Sequence, residues 1–230
     1  MNPIIFLASA DAMKPVILID SYYESVNRDS KIDILLTDGE SGRTIDLAKK
    51  RGMKIIKTPD QKFNDKTWID KTFVNIQGVL VSCGWPYKIP LNLISVFSAA
   101  VNCHGSYLPD YRGSRSYMHY WANCSDYFGA TIHYINENFD DGNILVRGKQ
   151  RMFSNETQNE IFIRTAELCG HLLPAALAKI ELGDKGFVIN NEKARYFFKR
   201  THEEFEEHRL LNEKRVKDGL QPLLTPHKTL

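Results

Sequence analysis

The sequence predicts an α/β fold, a mostly parallel twisted sheet with helices on both faces, and three observations carry that prediction. Short apolar, β-branched runs recur at 4–8, 32–36, 53–57 and 78–82, each of strand length and too short for a buried helix. Longer stretches of helical character separate them, such as Tyr22–Val26 and Thr44–Arg51, and strands alternating with helices imply a parallel sheet covered on both sides. The composition, 43% hydrophobic and 25% charged over 230 residues, is that of an ordinary globular chain. Its length suffices to bury roughly 70% of the unfolded surface, so no disulfide or metal staple is required.

The same counts exclude several classes of function. Thirty Lys+Arg against 28 Asp+Glu leave a net charge of +2, too little for the broad basic field of a nucleic-acid binder. The cysteines at 83, 103, 124 and 169 form no C-x-x-C pair and have no histidine at ligand spacing, so they read as four reduced thiols, and no metal is expected. No run approaches the ~18 apolar residues of a membrane span. The N-terminal Met1-Asn2-Pro3-Ile4-Ile5-Phe6-Leu7 lacks the basic region of an export signal, and the expected location is the cytoplasm. After the first strand comes Ser9-Ala10-Asp11-Ala12-Met13, without glycine, so the backbone is not shaped to approach the pyrophosphate of NAD or FAD.

The elements that follow point to a site. Residues 96–103 read as a fifth strand, running into a loop rich in polar residues, glycine and proline from Asn102 to Gly113. Ligands of open α/β sheets bind beyond the C-terminal strand ends, where this loop belongs. Residues 114–123 have helical character. Thr131–Ile135 and Ile144–Val146 read as a sixth and a seventh strand joined as a hairpin whose tip carries Asp140 and Asp141. The spacing Thr157-x-x-Glu160 is that of a capping box opening a helix that reaches Gly183, with Pro174 expected to kink or split it. A second box, Thr201-x-x-Glu204, opens a charged helix to about Lys217, after which Gly219, Pro222 and Pro226 are expected to end regular structure.

Asn102 and His104 stand two residues apart on an extended segment, so their side chains leave the same side of the backbone. An imidazole is suited to taking a proton near neutral pH, and an amide donates to a developing oxyanion without changing charge. A carboxylate such as Asp140 would fix the imidazole tautomer. No serine, cysteine or lysine is obviously placed as a nucleophile beside His104, so the attacking group must come from the substrate.

Across Asn102-x-His104-x-Ser106-x-Leu108-Pro109-x-Tyr111-Arg112-Gly113, then Trp121, then Phe139-Asp140-Asp141-Gly142-Asn143-Ile144-Leu145, the sequence resembles the N10-formyltetrahydrofolate-dependent formyltransferases. The resemblance covers roughly residues 3–183. It implies a Rossmann-like catalytic core over 1–183 and a C-terminal extension with one helix over 184–230. It implies a catalytic Asn102, His104 and Asp140; Asp140 stands two residues before Gly142, the offset the family shows. It implies contacts to the folate co-substrate from Trp85, Pro86, Tyr87, Lys88 and Ile89, with Asn136 and Asp141, and contacts to the acceptor from Ser106, Tyr111, Arg112 and Arg115.

Within the family, the turn Ser9-Ala10-Asp11-Ala12 departs from the glycine-rich turn of members acting on glycinamide ribonucleotide, and Arg112 is a residue they tend to lack. Methionyl-tRNA members carry a larger C-terminal domain than the residues after Gly183 provide, and folate deformylases an N-terminal domain with no room before Ile4. The branch acting on nucleotide-linked amino sugars remains, with amine attack on the formyl carbon as the implied chemistry. The alternatives are phosphoribosylglycinamide formyl transfer and, from another class, a non-catalytic folate or sugar-nucleotide binder. Apolar content at Tyr196–Phe198 and in the C-terminal helix suggests a homodimer contact.

Overall fold

The structure of the chain is a computed structural model that describes residues 2–60, 63–188 and 194–229. Strands β1 (Ile4–Leu7), β2 (Ile34–Thr37), β3 (Lys54–Lys57), β4 (Val79–Ser82) and β5 (Ala99–His104) run parallel. A two-residue strand, β6 (Arg112–Gly113), lies outside this sheet, which the hairpin of β7 (Tyr127–Tyr134) and β8 (Ile144–Arg151) completes antiparallel. The order is β3-β2-β1-β4-β5-β7-β8.

Successive side chains on a strand alternate faces. Ile5, Leu7, Leu80 and Ala100 therefore share one core with helices α3 (Lys66–Phe73) and α4 (Leu91–Ile94). Ile4, Phe6, Leu35, Val81, Val101 and Cys103 share the other with α1 (Met13–Ser25), α2 (Arg43–Lys50) and α6 (Gln158–Glu181). Burial on both faces is why these strands read as continuous apolar runs rather than as alternating ones.

Two strand boundaries move for identifiable reasons. Ile32 closes a short 3-10 turn and β2 begins at Ile34, because the fully buried carboxylate of Asp33 is taken by the Ile4 N–H, the Tyr23 hydroxyl and the Arg28 guanidinium. The fifth strand begins at Ala99 rather than Val96, since α4 and the turn after it occupy 91–98 and tuck Phe97 into the core.

Helix α6 corrects two expectations. It runs unbroken through Pro174, although an interior proline costs about 3 kcal/mol. Ile161, Leu168 and Leu173 are buried along it, each contributing roughly 1.5–3 kcal/mol, which outweighs that cost. Gly170 lets α1 approach so closely that a Cβ there would lie 2.5 Å from the Leu18 carbonyl oxygen. By length and composition α6 is also long and apolar enough to cross a membrane, but its apolar stripe is packed against α1 and the sheet.

Residues beyond 183 share this core. Strand β9 (Arg195–Phe197) pairs in parallel with β6 and antiparallel with β10 (His227–Thr229). β10 was not expected after Pro226; pairing with β9 overrides the proline, which precedes the strand and so removes no ladder donor. Between them α7 (His202–Lys217) starts at the Thr201 capping box and packs on α5 (Ser116–Ala122). Phe197 and Phe205 are fully buried there, Asn212 Nδ2 donates to the Ala122 carbonyl, and His119 Nδ1 meets the Thr225 hydroxyl at 2.7 Å.

Candidate active site

Strand β5 outlasts its neighbour: β4 ends at Ser82, opposite Asn102, while β5 continues to His104. Asn102 and His104 leave this extension, still paired with β7 on its other edge, on one side. The β7–β8 connection brings Asp140 back over it, with Asp140 Oδ1 3.1 Å from His104 Nδ1 and 3.4 Å from Asn102 Nδ2. The Gly113 N–H donates to Asp140 Oδ2 at 3.1 Å. Asp140 holds a left-handed φ of 52°, a conformation to which Asp and Asn are the least averse of non-glycine residues. Three polar groups 38 residues apart at their extremes thus meet beside a cavity of about 440 Å³.

His133 joins them. It sits opposite Asn102 in the β5–β7 register, and cross-strand neighbours share a face. Its Nε2 lies 3.2 Å from Asn102 Nδ2 and 3.8 Å from Asp140 Oδ1, and its Nδ1 donates to the Tyr134 carbonyl at 2.9 Å. With Nδ1 protonated, Nε2 accepts from the Asn102 amide. His104 Nε2 faces the Tyr111 carbonyl at 2.9 Å, so both its ring nitrogens meet acceptors. A neutral ring donates to one of them; an imidazolium donates to both. Burial alone would push the Asp140 carboxyl up, but the charge of His104 and the hydrogen bond from its Nδ1 outweigh it and hold it well below the usual carboxylate range.

Trp85, Pro86, Tyr87, Lys88, Ile89, Asn136 and Arg115 line the cavity with Asn102, His104 and Asp140. Ser106, Tyr111, Arg112 and Asp141, also expected at the site, are not among the lining residues. Ser106 is fully buried and its hydroxyl donates to the Tyr111 carbonyl. The Tyr111 ring stacks on Phe197 at 4.5 Å, and its hydroxyl accepts from Asn123. Arg112, 4% exposed, pairs with Asp141 at 2.8 Å. These side chains build the floor beneath the site. Tyr196 and Phe197 also differ from the exposed patch expected at 196–198: Tyr196 lines the cavity and Phe197 is buried, with Phe198 half-exposed.

Sequence reasoning missed Lys14, Tyr117, His133 and Phe162, all of them cavity-lining. His133 had a legible signal, since it falls at an inward position of an expected strand. Among the described residues no group of three or more His, Cys, Asp or Glu is placed to hold a metal ion.

The family described as formyl transferase matches residues 38–177. The methionyl-tRNA formyltransferase of Mycoplasmopsis pulmonis is 32% identical over 108 residues, which is 47% of this chain and 36% of that one. The GDP-perosamine N-formyltransferase of Brucella melitensis is 32% identical over 97 residues, 42% of this chain and 38% of that one. The chain spans between 36% and 50% of the length of the first curated relatives it matches. Among solved structures, phosphoribosylglycinamide formyltransferase from Anaplasma phagocytophilum aligns with a TM-score of 0.67 at 16% identity, over 81% of this chain and 91% of that one. An N-formyltransferase from Helicobacter canadensis, in complex with folinic acid and dTDP-3-aminofucose, aligns with a TM-score of 0.67 at 16% identity, over 98% of this chain and 85% of that one. At such identity these structures show the same fold.

Proposed function

The chain belongs to the formyl transferase family, and we propose that it moves a formyl group from N10-formyltetrahydrofolate to the amino group of a nucleotide-linked amino deoxysugar. The observation that carries this reading is the convergence of Asn102, His104 and Asp140 at the wall of an aromatic and basic cavity. The donor side fits a planar heterocycle: Trp85 and Tyr87 stand edge-to-face at 5.5 Å on the 84–89 loop, and the buried Trp85 Nε1 has no partner within the protein. The acceptor side offers Tyr117, Phe162 and Tyr196 for a base, with Arg115 as a cation for phosphate. The relatives described as acting on GDP-perosamine and bound to dTDP-3-aminofucose support this choice of acceptor.

In this mechanism the donor supplies an electrophilic formyl carbon. As the acceptor amine bonds to it, negative charge gathers on the formyl oxygen, where the Asn102 amide donates; one such donor is typically worth about 3 kcal/mol of barrier. His104 takes the proton the amine loses, worth about 10²–10⁴ in rate, and Asp140 stabilises the imidazolium. The carbon–N10 bond then breaks as the His104 imidazolium gives that proton to N10, which returns the base to its neutral form. For the attack the Asn102 amide turns to substrate from His133 and Asp140, and His104 Nε2, unprotonated, turns from the Tyr111 carbonyl to the amine. The test is a panel of dTDP-, UDP- and GDP-linked 3- and 4-amino sugars, with glycinamide ribonucleotide and methionyl-tRNA as controls, followed by tetrahydrofolate release. Turnover of an amino sugar supports the reading. Turnover confined to a control overturns the acceptor, and folate binding without turnover of any amine overturns the activity.

A further inference from the structure

We propose that Lys14 is a positioning residue for this reaction, its ammonium holding the edge of β5 that β4 leaves open between Asn102 and His104 and tying it to the 84–89 loop. The activity arm of the test rests on the formyl-transfer reading; the geometry does not. Beyond Asn102 the strand has no β4 partner, because β4 stops at Ser82. Lys14 Nζ reaches the carbonyl of the next residue, Cys103, at 2.6 Å from the start of α1. An unmet buried acceptor costs about 1–3 kcal/mol, so that bond holds the open edge of a segment whose other edge is paired with Thr131 and Ile132 of β7.

The stem of Lys14 meets the loop as well. Gly84, which opens it, holds a φ of 85°, and a Cβ there would lie 3.1 Å from Pro15 Cδ and 3.8 Å from Lys14 Cβ. The first turn of α1 thus touches both the strand that carries Asn102 and His104 and the loop that faces them across the cavity. A third observation places the charge. Burial pushes the thiols of Cys83, Cys103 and Cys169 up, and the Lys14 ammonium draws each back, so it faces the space behind β4 and β5. Among the described residues no carboxylate pairs with it. A half-buried ammonium whose anchor is a backbone carbonyl in the reacting segment acts on the placement of Asn102 and His104, and misplacement by about 1 Å can cost 10²-fold in rate.

Lys14→Met keeps the stem and removes the donor; Lys14→Arg keeps a cationic donor. The expected result is a fall in kcat of at least about ten-fold in Lys14→Met, with acceptor KM and folinic acid affinity within about three-fold, and substantial recovery in Lys14→Arg. The His104 ring resonances should move in Lys14→Met and return in Lys14→Arg, a readout that stands whether or not the acceptor has been identified. Unchanged kcat, a loss confined to acceptor KM, equal loss in both variants, unmoved His104 resonances, or failure of both variants to fold would each overturn the assignment. A wild-type protein that turns over no amine, with His104 still responding to Lys14→Met, overturns the formyl-transfer reading and leaves the clamp standing.

Discussion

Asp140→Asn separates charge from shape at the centre of the site. Asparagine matches the carboxylate in size and tolerates the left-handed φ of 52°, whereas alanine there would add backbone strain to the loss of the side chain. Its carbonyl oxygen can still accept from the Gly113 N–H, so the backbone stays anchored. What disappears is a negative charge 3.1 Å from His104 Nδ1. At that separation Coulomb's law with an effective dielectric of about 20 gives an upper bound near 5 kcal/mol, and hydrogen bonds to charged groups contribute about 1.5–3 kcal/mol net. An amide NH₂ in the same place would also favour the tautomer with the proton on Nε2, away from the base role. Together these give an expected loss of about 10²–10⁴ in kcat/KM, measured as tetrahydrofolate release. Because the folded Asp140 titrates below its unfolded value of about 3.9, the stability it contributes is present above pH ~4 and lost as pH falls further. The variant should therefore melt below wild type at pH 7, with the gap closing in acid. A kcat/KM within about five-fold of wild type would refute the orienting role.

Four other substitutions have equally direct readouts. His104→Ala and Asn102→Ala should fold normally and transfer formyl at least ~100-fold more slowly; near-normal turnover in either removes that residue from the mechanism. His119 is fully buried, and burial, helped by the Arg200 charge, holds its pKa down to about 4. The unfolded chain then binds the extra proton first, so stability on the order of 3 kcal/mol is lost as pH drops from about 6.5 towards 4. His119→Asn, which cannot titrate, should flatten that part of the Tm-against-pH curve; an unchanged slope would show that other groups carry it. Gly113→Ala places a Cβ 2.4 Å from the Phe197 carbonyl at a φ of 102°. It should destabilise the chain by at least about 2 kcal/mol and speed proteolysis of the segment after 183; an unaltered Tm would mean that the β6–β9 pairing adapts.

The strands whose both faces are buried were legible because nothing competes with their apolar runs: β1 and β4 fall within a residue of expectation. The third helix was not, since Lys66–Phe73 buries just Ile69 and Phe73 and is otherwise polar. Asn102 and His104 could be paired by strand parity alone. Linking them to Asp140 required the resemblance, because no local pattern says that a hairpin tip folds back over a strand 36 residues earlier. Ser106, Tyr111 and Arg112 stand apart from the cavity lining for one reason: polar type in a loop suggests exposure, and here tertiary bonds bury it. Tyr196 reads from the sequence either as a sugar-nucleotide contact or as part of a dimer surface; its place in the cavity depends on β9 pairing with β6, a two-residue strand without a sequence signature.

The adjacent carboxylates at the hairpin tip show how the acceptor wall is coupled to the reacting groups. Asp140 turns inward to His104, while Asp141 pairs with Arg112. Arg112 begins β6, whose next residue, Gly113, donates to Asp140 and pairs with β9 beside Tyr196. One tip therefore holds the base in place with one side chain and, through the next, the short strand on which the segment after 183 docks. Removing the buried Arg112 guanidinium takes one charge partner from Asp141, which keeps 22% exposure, so the cost lies below the roughly 3–5 kcal/mol of breaking a fully buried pair. Arg112→Met should accordingly lower Tm and raise acceptor KM together, the second through Tyr196, although Arg112 itself lines no part of the cavity. Arg115→Met, at the cavity wall, should raise KM and leave Tm in place. If Arg112→Met raised KM with no loss of stability, Arg112 would be touching the acceptor directly and the coupling through β6 would be refuted.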